Sequence, residues 1–165
     1  MIISIKEIRN FLICVLIPLI LGYASNLIST LFSGMSTSEY YSQLIKPGFA
    51  PHVSIFPIVW TILYVLMGIS SYLILKKGYD LSKVRDGMFY YWLQIGLSFT
   101  WNTLFFGLDL KLTALVSIVM LIVVAIIMII KFSKVDKRAA YVNIPYLIWL
   151  SYAIFLNYFI WIINR

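Results

Sequence analysis

Residues 112–130 read LTALVSIVMLIVVAIIMII, an apolar stretch with no charged and no aromatic residue. Its only polar side chains are those of Thr113 and Ser117. A helix that crosses the hydrocarbon core of a bilayer needs about 20 mostly apolar residues. The stretch therefore predicts a membrane-spanning helix, and its lack of aromatic rings favours a packing or lipid-facing role over ligand binding.

Four more stretches of similar length and character lie elsewhere in the chain. The five predicted spans cover residues of about 8–32, 55–75, 88–108, 112–132 and 141–163. Unpaired backbone polar groups are costly in lipid, and the alternating pattern of a β-barrel is absent, so each span is expected to be helical. We predict an all-α polytopic membrane protein in which residues 1–165 form a single domain, a bundle of five transmembrane helices with a long structured first loop.

The composition of the 165-residue chain supports this class. Hydrophobic residues make up 62%, aromatic residues 17% and charged residues 12%, whereas soluble globular proteins average about 45–50% apolar and about 25% charged residues. A disordered tail and a disulfide scaffold are excluded, and the one cysteine, Cys14, cannot form an intrachain disulfide. A nucleic-acid-binding module is also excluded, because the net charge of +7 comes from Lys and Arg in short loops between apolar runs.

The distribution of Lys and Arg predicts the orientation in the membrane. Ten of them lie on the N-terminal flank and in the second and fourth loops, and three lie on the other side, namely Lys46, Lys111 and Arg165. Cytoplasmic loops carry the excess of basic residues, so we expect the N-terminus in the cytoplasm and the C-terminus outside. The Ile- and Lys-rich composition without a transit peptide favours a bacterial plasma membrane, with a mitochondrial outer membrane as the alternative.

The first span has a second interpretation as a cleaved signal peptide. A basic flank precedes it, and Gly22-Tyr23-Ala24 is an acceptable cleavage site. The apolar character continues beyond that site as far as Phe32, which favours a retained membrane helix.

Polar and aromatic side chains recur at spacings of three and four on the second, third and fifth spans, which places them on one face of each helix. An apolar, aromatic cavity with a few placed polar groups suits a flat hydrophobic ligand. The competing interpretation is that these side chains only pack, as interhelical hydrogen bonds and interfacial aromatic belts. The candidate ligand-binding residues are Trp60, Tyr64, Trp101, Asn102, Tyr146, Trp149 and Ala153.

Amides within the spans need hydrogen-bond partners in lipid and are expected to face the bundle interior. They are Asn26, Gln94, Asn102 and Asn157.

No charged residue or histidine lies near the middle of a span, which disfavours a proton relay, an ion pump or a voltage sensor. His52, the only histidine, lies in a loop with no second ligand nearby, so no metal site is predicted. Gly96 and Thr100 form a small-xxx-small pair, an indication of a helix–helix or dimer contact.

The first loop, Ser33 to Ser54, is long for a compact bundle and is predicted to be a structured lid over the outer mouth of the pocket. Pro47 and Pro51 stiffen its second half. Ser36 and Glu39 have capping-box spacing, which predicts a short helix. The lid residues are Tyr40, Lys46, Pro47, Phe49 and Pro51.

Four ordered motifs resemble those of a known family. Residues 40–51 (YYSQLIKPGFAP) resemble its W-Y-x-x-L-x-K-P-x-W-x-P-P loop, and residues 56–64 (FPIVWTILY) its F-P-x-V-W-x-x-L-Y helix start. Residues 101–107 (WNTLFFG) and 145–149 (PYLIW) are similar to its third and fifth helices. The family is that of the translocator protein, formerly the peripheral benzodiazepine receptor, and in bacteria the tryptophan-rich sensory protein.

The resemblance implies a five-helix bundle, commonly a homodimer, that binds protoporphyrin IX, related tetrapyrroles and benzodiazepine-type ligands under the first loop. Trp60 and Trp149 match the two tryptophans implicated in light-dependent porphyrin degradation, and Asn102 and Ala153 match pocket-lining positions. Lys46 is a candidate contact for porphyrin carboxylates. Porphyrin is expected as a ligand and no cofactor as obligatory. Any enzymatic activity would be a tryptophan-dependent photo-oxidation, since no conventional acid–base site is present.

The chain departs from the family pattern at the loop. Tyr40 and Phe49 stand where the pattern has tryptophan, and His52 replaces its second proline. The sterol motif proposed for animal members also fails, because six residues separate Tyr158 from Arg165. Our leading hypothesis is a receptor-like porphyrin-binding membrane protein. The alternatives are a transporter of porphyrin or another hydrophobic solute, and a structural or regulatory membrane subunit.

Overall fold

The computed structural model describes residues 5–165, which form seven α-helices, one π-helical segment and no strand. This confirms the all-α fold class. In chain order the elements are α1 (Ile5–Ser33), α2 (Thr37–Gln43), α3 (Ile55–Leu75), α4 (Ser82–Asn102), the π segment (Thr103–Gly107), α5 (Lys111–Ser133), α6 (Lys137–Val142) and α7 (Ile144–Ile163).

Five long helices form the bundle, and four helical stretches are long and apolar enough to cross a membrane. These four are α1, α3, α5 and the run of α6 and α7 together. The helix α4 falls short by composition because its first turns carry charged side chains and because the rest of it is rich in polar and weakly apolar residues, among them Gln94 and Asn102. It nevertheless packs along α5, where its Gly87 lies against the ring of Phe132. The chain is therefore a polytopic integral membrane protein.

Two predicted spans differ from the helices observed. The third span begins earlier than predicted, at Ser82 instead of residue 88, since polar residues outside the bilayer also support a helix. The predicted span 141–163 is interrupted at Asn143, which separates α6 from α7. Pro145 stands at the start of α7, and because proline has no backbone N–H it cannot continue the hydrogen-bond ladder of α6.

Close backbone approach joins α1 to α3. A methyl group added to Gly68 would lie 2.5 Å from Cα of Val15, so only glycine fits there. Further along α1, a methyl group on Gly22 would overlap the ring of Tyr64. The helix α1 is unbroken through Gly22-Tyr23-Ala24 and belongs to the packed bundle.

In the half of the bundle nearer α6, here called the inner half, a buried polar network joins α3, α4 and the junction of α6 and α7. The Tyr146 hydroxyl donates to Oε1 of Gln94 at 2.7 Å, and Nε2 of Gln94 approaches the sulfur of Met67 at 3.7 Å. Asn143 Nδ2 donates to the Ser70 hydroxyl at 2.6 Å. These groups are buried, and their mutual bonds offset the cost of removing them from water.

The four span amides differ in burial. Gln94 and Asn157 are buried as predicted, and Asn102 is half-buried. Asn26 is exposed, but it lines the space between the helices and its side-chain oxygen accepts from Nδ2 of Asn102 at 3.1 Å, so it has an interhelical partner. The buried stripe of α1 runs through Gly22, Ser25 and Ser29, and Asn26 lies at its border.

Ion pairs gather the basic loops at one end of the bundle, hereafter the inner end. Lys76 Nζ lies 2.8 Å from the Glu7 carboxylate, which joins the start of α1 to the end of α3. Lys131 lies 3.4 Å from Asp86, which joins α5 to α4. The first loop and the end of α7 lie at the opposite, outer end, where the Asn164 side chain bonds both the N–H and the carbonyl of Ile45.

Candidate ligand-binding site

An outer cavity lies between α1, α3 and α4 beneath the first loop; it encloses about 600 Å³ only when the solvent space at its open mouth is included. Aromatic and small residues of the helices form its floor and walls, and α2 with the start of α3 covers it. Its lining residues are Gly22, Asn26, Thr37, Ser38, Tyr41, Val53, Phe56, Pro57, Trp60, Tyr64, Ser98, Trp101, Asn102 and Phe106.

Three aromatic rings form a nearly continuous slab in this cavity. The Trp60 ring lies 5.8 Å from the Trp101 ring with 32° between their planes, and 5.5 Å from the Tyr64 ring with 31° between planes. Trp101 is held in place because its indole N–H donates to Oδ1 of Asn157 at 3.1 Å. Rings at such distances are in contact, so the three form one connected apolar cluster, in which Trp101 is buried and Trp60 and Tyr64 are half-buried.

Polar groups lie at the edge and on the floor of the cavity. The Asn102 side chain accepts from the Ser29 hydroxyl at 2.6 Å and donates to Oδ1 of Asn26 at 3.1 Å. The Ser98 hydroxyl, by contrast, is buried, and although it lies close to the Tyr64 side chain it makes no hydrogen bond of good geometry among residues 5–165. A buried hydroxyl without a partner carries a free-energy cost that a ligand carrying an acceptor would remove.

A second, narrow cavity lies next to the first, on the side of α7. Trp149 and Ala153 line it, and the buried indole N–H of Trp149 has no partner in the part of the chain that the structure describes. The two cavities share a wall made of Tyr41, Phe56, Trp101 and Phe106.

The seven predicted ligand-binding residues are thus divided. Trp60, Tyr64 and Asn102 line the outer cavity, whereas Trp149 and Ala153 line the second, and Trp101 lines both. Tyr146 lines neither of these two cavities, because its hydroxyl is committed to Gln94 and its side chain is fully buried. Between Trp60 and Trp149 lies the ring of Phe56, which contacts Trp149 at 5.9 Å.

The first loop covers the cavity with residues other than those predicted. The capping box is confirmed: Ser36 Oγ accepts from the Glu39 N–H at 3.2 Å, and the Glu39 carboxylate accepts from the Ser36 N–H at 2.7 Å. The helix it starts, α2, turns Tyr41 toward the cavity, where its ring contacts Phe56 at 4.8 Å. Burial raises the pKa of Tyr41 to about 12, so its hydroxyl stays neutral and donates to the Pro51 carbonyl.

The predicted lid residues contact the main chain of the loop and the helix α7, and so hold the loop in place. Lys46 Nζ donates to three main-chain carbonyls at 3.0–3.2 Å, those of residues 41, 42 and 44, and so closes the end of α2. The Phe49 ring packs against Phe159 at 5.4 Å, and its carbonyl accepts from Tyr152 at 3.1 Å. Pro47 accepts the turn bond from the Ala50 N–H.

Tyr40 fixes α2 to the connection between the π segment and α5. Its hydroxyl donates to the Asp109 carboxylate, which also pairs with Lys111. Burial opposes ionisation of Asp109, but the bonds from Lys111 and Tyr40 outweigh it and lower the pKa of the carboxyl below its ordinary value. The carboxylate is therefore charged at neutral pH, and its contribution to holding α2 is lost only as the pH falls through that lowered pKa.

We expect Tyr40→Phe to loosen the lid without displacing it. The ring contacts with Phe105 and Phe106 remain, while a hydrogen bond to a charged acceptor, worth about 1.5–3 kcal/mol, is removed. Amide hydrogen exchange in α2 should accelerate by about tenfold or more. Tyr141→Phe, at an exposed tyrosine of α6, is the matched control. Equal exchange in α2 of the wild type and Tyr40→Phe would contradict the role assigned to this bond.

His52 is exposed in the loop, and its Nδ1 lies 3.1 Å from the Ser54 hydroxyl. Within residues 5–165 no group of three or more His, Cys, Asp or Glu side chains is placed to hold a metal ion.

Several residues that line the outer cavity are not among the seven predicted ligand-binding residues, although the sequence contained signals for them. Ser98 lies four residues after Gln94 and three before Trp101, and Phe56 lies one helical turn before Trp60, so both share the predicted faces. For Val53 no such signal exists, because a loop has no periodicity, and α2 with seven residues is too short for a periodic pattern to show that Tyr41 faces the cavity.

A sequence profile described as the TspO/MBR family matches residues 14–162. The tryptophan-rich protein TspO of Chlorobaculum tepidum is 33% identical over 159 residues, which cover 96% of this chain and 98% of that protein. The protein of the same name from Archaeoglobus fulgidus is 34% identical, with 96% and 99% covered. The translocator protein of Sus scrofa is 37% identical over 131 residues, 77% of this chain and 76% of that protein.

Proposed function

The chain belongs to the TspO/MBR family, and from that premise we propose that it is a receptor-like membrane protein that binds protoporphyrin IX or a related tetrapyrrole in the outer cavity. Benzodiazepine-type hydrophobic ligands would occupy the same space. The first loop, tied down at α2 and at α7, forms the roof of the site.

The observation that carries this proposal is the aromatic slab of Trp60, Trp101 and Tyr64. Trp60 is half-buried and lines the cavity, so one face of its indole is available to a ligand. A macrocycle stacked on the slab would bury a large apolar area. Asn102 at the edge and the Ser98 hydroxyl on the floor would supply the few polar contacts that orient a ligand in such a pocket.

Lys46 does not serve the porphyrin carboxylates in this arrangement. Its ammonium group already has three carbonyl acceptors and lies over the Tyr41 ring at 5.1 Å. The carboxylates of the ligand would instead point out of the cavity mouth, where Asn26 and Ser38 are exposed.

A titration of the purified protein with protoporphyrin IX tests the proposal. Tryptophan fluorescence should be quenched with saturation at one porphyrin per chain, and a benzodiazepine-type ligand should reverse the quenching. Illumination of the loaded protein should then bleach the porphyrin absorption band if the indoles act as electron donors. Quenching that rises without saturation, as in protein-free micelles, would mean that the aromatic residues only pack and that the protein is a structural or regulatory subunit.

Transport of the ligand is the second candidate function, since related proteins are named translocator protein. A passage through the bundle would have to open the inner half, where Gly68 lies against the backbone of Val15 and where Gln94 and Tyr146 are bonded to each other. Because both contacts close the inner half, binding is better supported than passage. Vesicle flux against a porphyrin gradient would reverse this preference.

We further propose that the N-terminus lies in the cytoplasm of a bacterial cell, with the C-terminus outside. The two loops richest in Lys and Arg lie at the inner end, where several of these residues are ion-paired, and the positive-inside rule places such loops in the cytoplasm. A second copy of the chain would pack on the exposed face of α4, where no atom of residues 5–165 lies within 4 Å of a methyl group placed on Gly96. Light scattering of the purified protein should then give twice the 19.1 kDa chain mass.

A further inference from the structure

A groove of about 730 Å³ lies at the inner end, far from the aromatic slab. Three lysines and two apolar side chains line it, together with the first residue of α4. The inner groove consists of Lys77, Leu81, Ser82, Lys83, Lys134 and Val135. Two connections therefore meet here, the one between α3 and α4 and the one between α5 and α6.

The buried carboxylate of Asp136 joins the two connections through ion pairs. Asp136 accepts from the Arg138 guanidinium at 3.0 and 3.2 Å and pairs with Lys77 at 3.3 Å. Hydrogen bonds from Arg138, the strongest influence, and from Lys77 hold the pKa of Asp136 far below its ordinary value, so it remains charged. The ion pair with Asp136 holds Lys77 at the wall of the groove and links the two connections that form the groove.

The other two lysines of the groove have no acidic partner. Lys83 and Lys134 are exposed, and neither has an ion pair or a side-chain hydrogen bond among residues 5–165. The connections that meet here, residues 76–86 and 131–138, carry eight basic side chains against three acidic ones. The groove is thus a positively charged recess whose two exposed lysines are available to an anion.

Two neighbouring features fit an anion with an apolar attachment. Leu81, at the N-cap of α4, provides no side-chain acceptor, so the first N–H groups of this 21-residue helix are uncapped beside the groove that Leu81, Ser82 and Lys83 line. Leu81 is also largely exposed beside the lysines and offers an apolar surface. At this end of the bundle the anions at hand are the headgroups of the cytoplasmic leaflet, whose negative charge attracts basic segments.

We propose that the inner groove binds the phosphate headgroup of an anionic phospholipid of the cytoplasmic leaflet, through Lys83 and Lys134. Lys77 shapes the site, and Leu81 contacts the glycerol and the first acyl carbons. The proposal does not depend on porphyrin binding, because no residue of the groove lines either cavity.

Native mass spectrometry of the purified protein, with phosphatidylglycerol or phosphatidylcholine added, tests the site. The wild type should retain phosphatidylglycerol in preference to phosphatidylcholine. Lys83→Gln combined with Lys134→Gln should lower that retention about tenfold or more, since each lysine near a charged bilayer surface contributes measurably to binding. Lys83→Arg combined with Lys134→Arg should restore it.

The matched control removes the same charge from the same end but outside the groove, at exposed Arg9 and Lys137. Arg9→Gln combined with Lys137→Gln should leave retention of phosphatidylglycerol unchanged. Equal loss in both double variants would mean that the whole inner end attracts anions without a site and would overturn the proposal. So would equal retention of the two lipids by the wild type. Displacement of the lipid by millimolar inorganic phosphate would assign the groove to free phosphate instead. Circular dichroism verifies that the variants remain folded.

Discussion

Trp60→Ala should lower the affinity for protoporphyrin IX by about 30-fold, which corresponds to about 2 kcal/mol, the usual contribution of a buried aromatic anchor. Trp60 is the central ring of the slab, in contact with both Trp101 and Tyr64. Its removal takes away the apolar face and leaves the neighbouring rings without their support. The titration described above, repeated on the variant, measures the change.

The matched variants distinguish the two cavities. Trp149→Ala should change the affinity by less than about threefold, because Trp149 lines the second cavity and the Phe56 ring separates it from the slab. Trp92→Ala removes an indole that is 46% exposed on α4 and should have no effect. If Trp149→Ala weakened binding as much as Trp60→Ala, the ligand would span both cavities and would have to displace Tyr41 and Phe56. If Trp60→Ala bound normally, the outer cavity would not be the site.

Gly68→Ala should destabilise the bundle by about 2 kcal/mol, in the range found for overpacked cores, and lower the thermal midpoint by about 4–8 °C. The added methyl group would lie 2.5 Å from Cα of Val15 and 2.7 Å from the carbonyl oxygen of Cys14. These are backbone atoms, so α1 as a whole would have to move away from α3. Thermal unfolding in detergent, followed by circular dichroism, measures the shift.

Gly96→Ala is the control for this second prediction. Gly96 also lies inside a long helix, but nothing among residues 5–165 of the same chain lies within 4 Å of the added methyl group, so the comparison is made on protein diluted to the monomer. Alanine is the better helix former, so this variant should be unchanged or more stable by about 0.5–1 kcal/mol. Equal shifts for the two variants would mean that helix propensity decides the outcome and that the close approach of α1 to α3 contributes little.

Hydrophobic periodicity and local capping are properties of short segments, and the helices that depend on them were predicted well. The uninterrupted apolar run of α5 identified a membrane helix, and the spacing of Ser36 and Glu39 identified α2. The break at Asn143 was missed, although Pro145 signalled it, because the apolar character continues across the break. The early start of α4 was missed for the opposite reason, since its first turns are too polar to resemble a membrane span.

The sequence by itself determined that this chain is an all-α membrane protein and that its aromatic and amide side chains gather on three helices. These conclusions follow from composition and periodicity, which act within one helix at a time. Only the tertiary structure decided that Trp60 and Trp149 belong to separate cavities, that Asn26 lies at the rim and that Tyr41 forms the roof. Each of these depends on how neighbouring helices are rotated and on where a loop without periodicity is tied down. Such relations are set by close packing and hydrogen bonds between residues far apart in the chain.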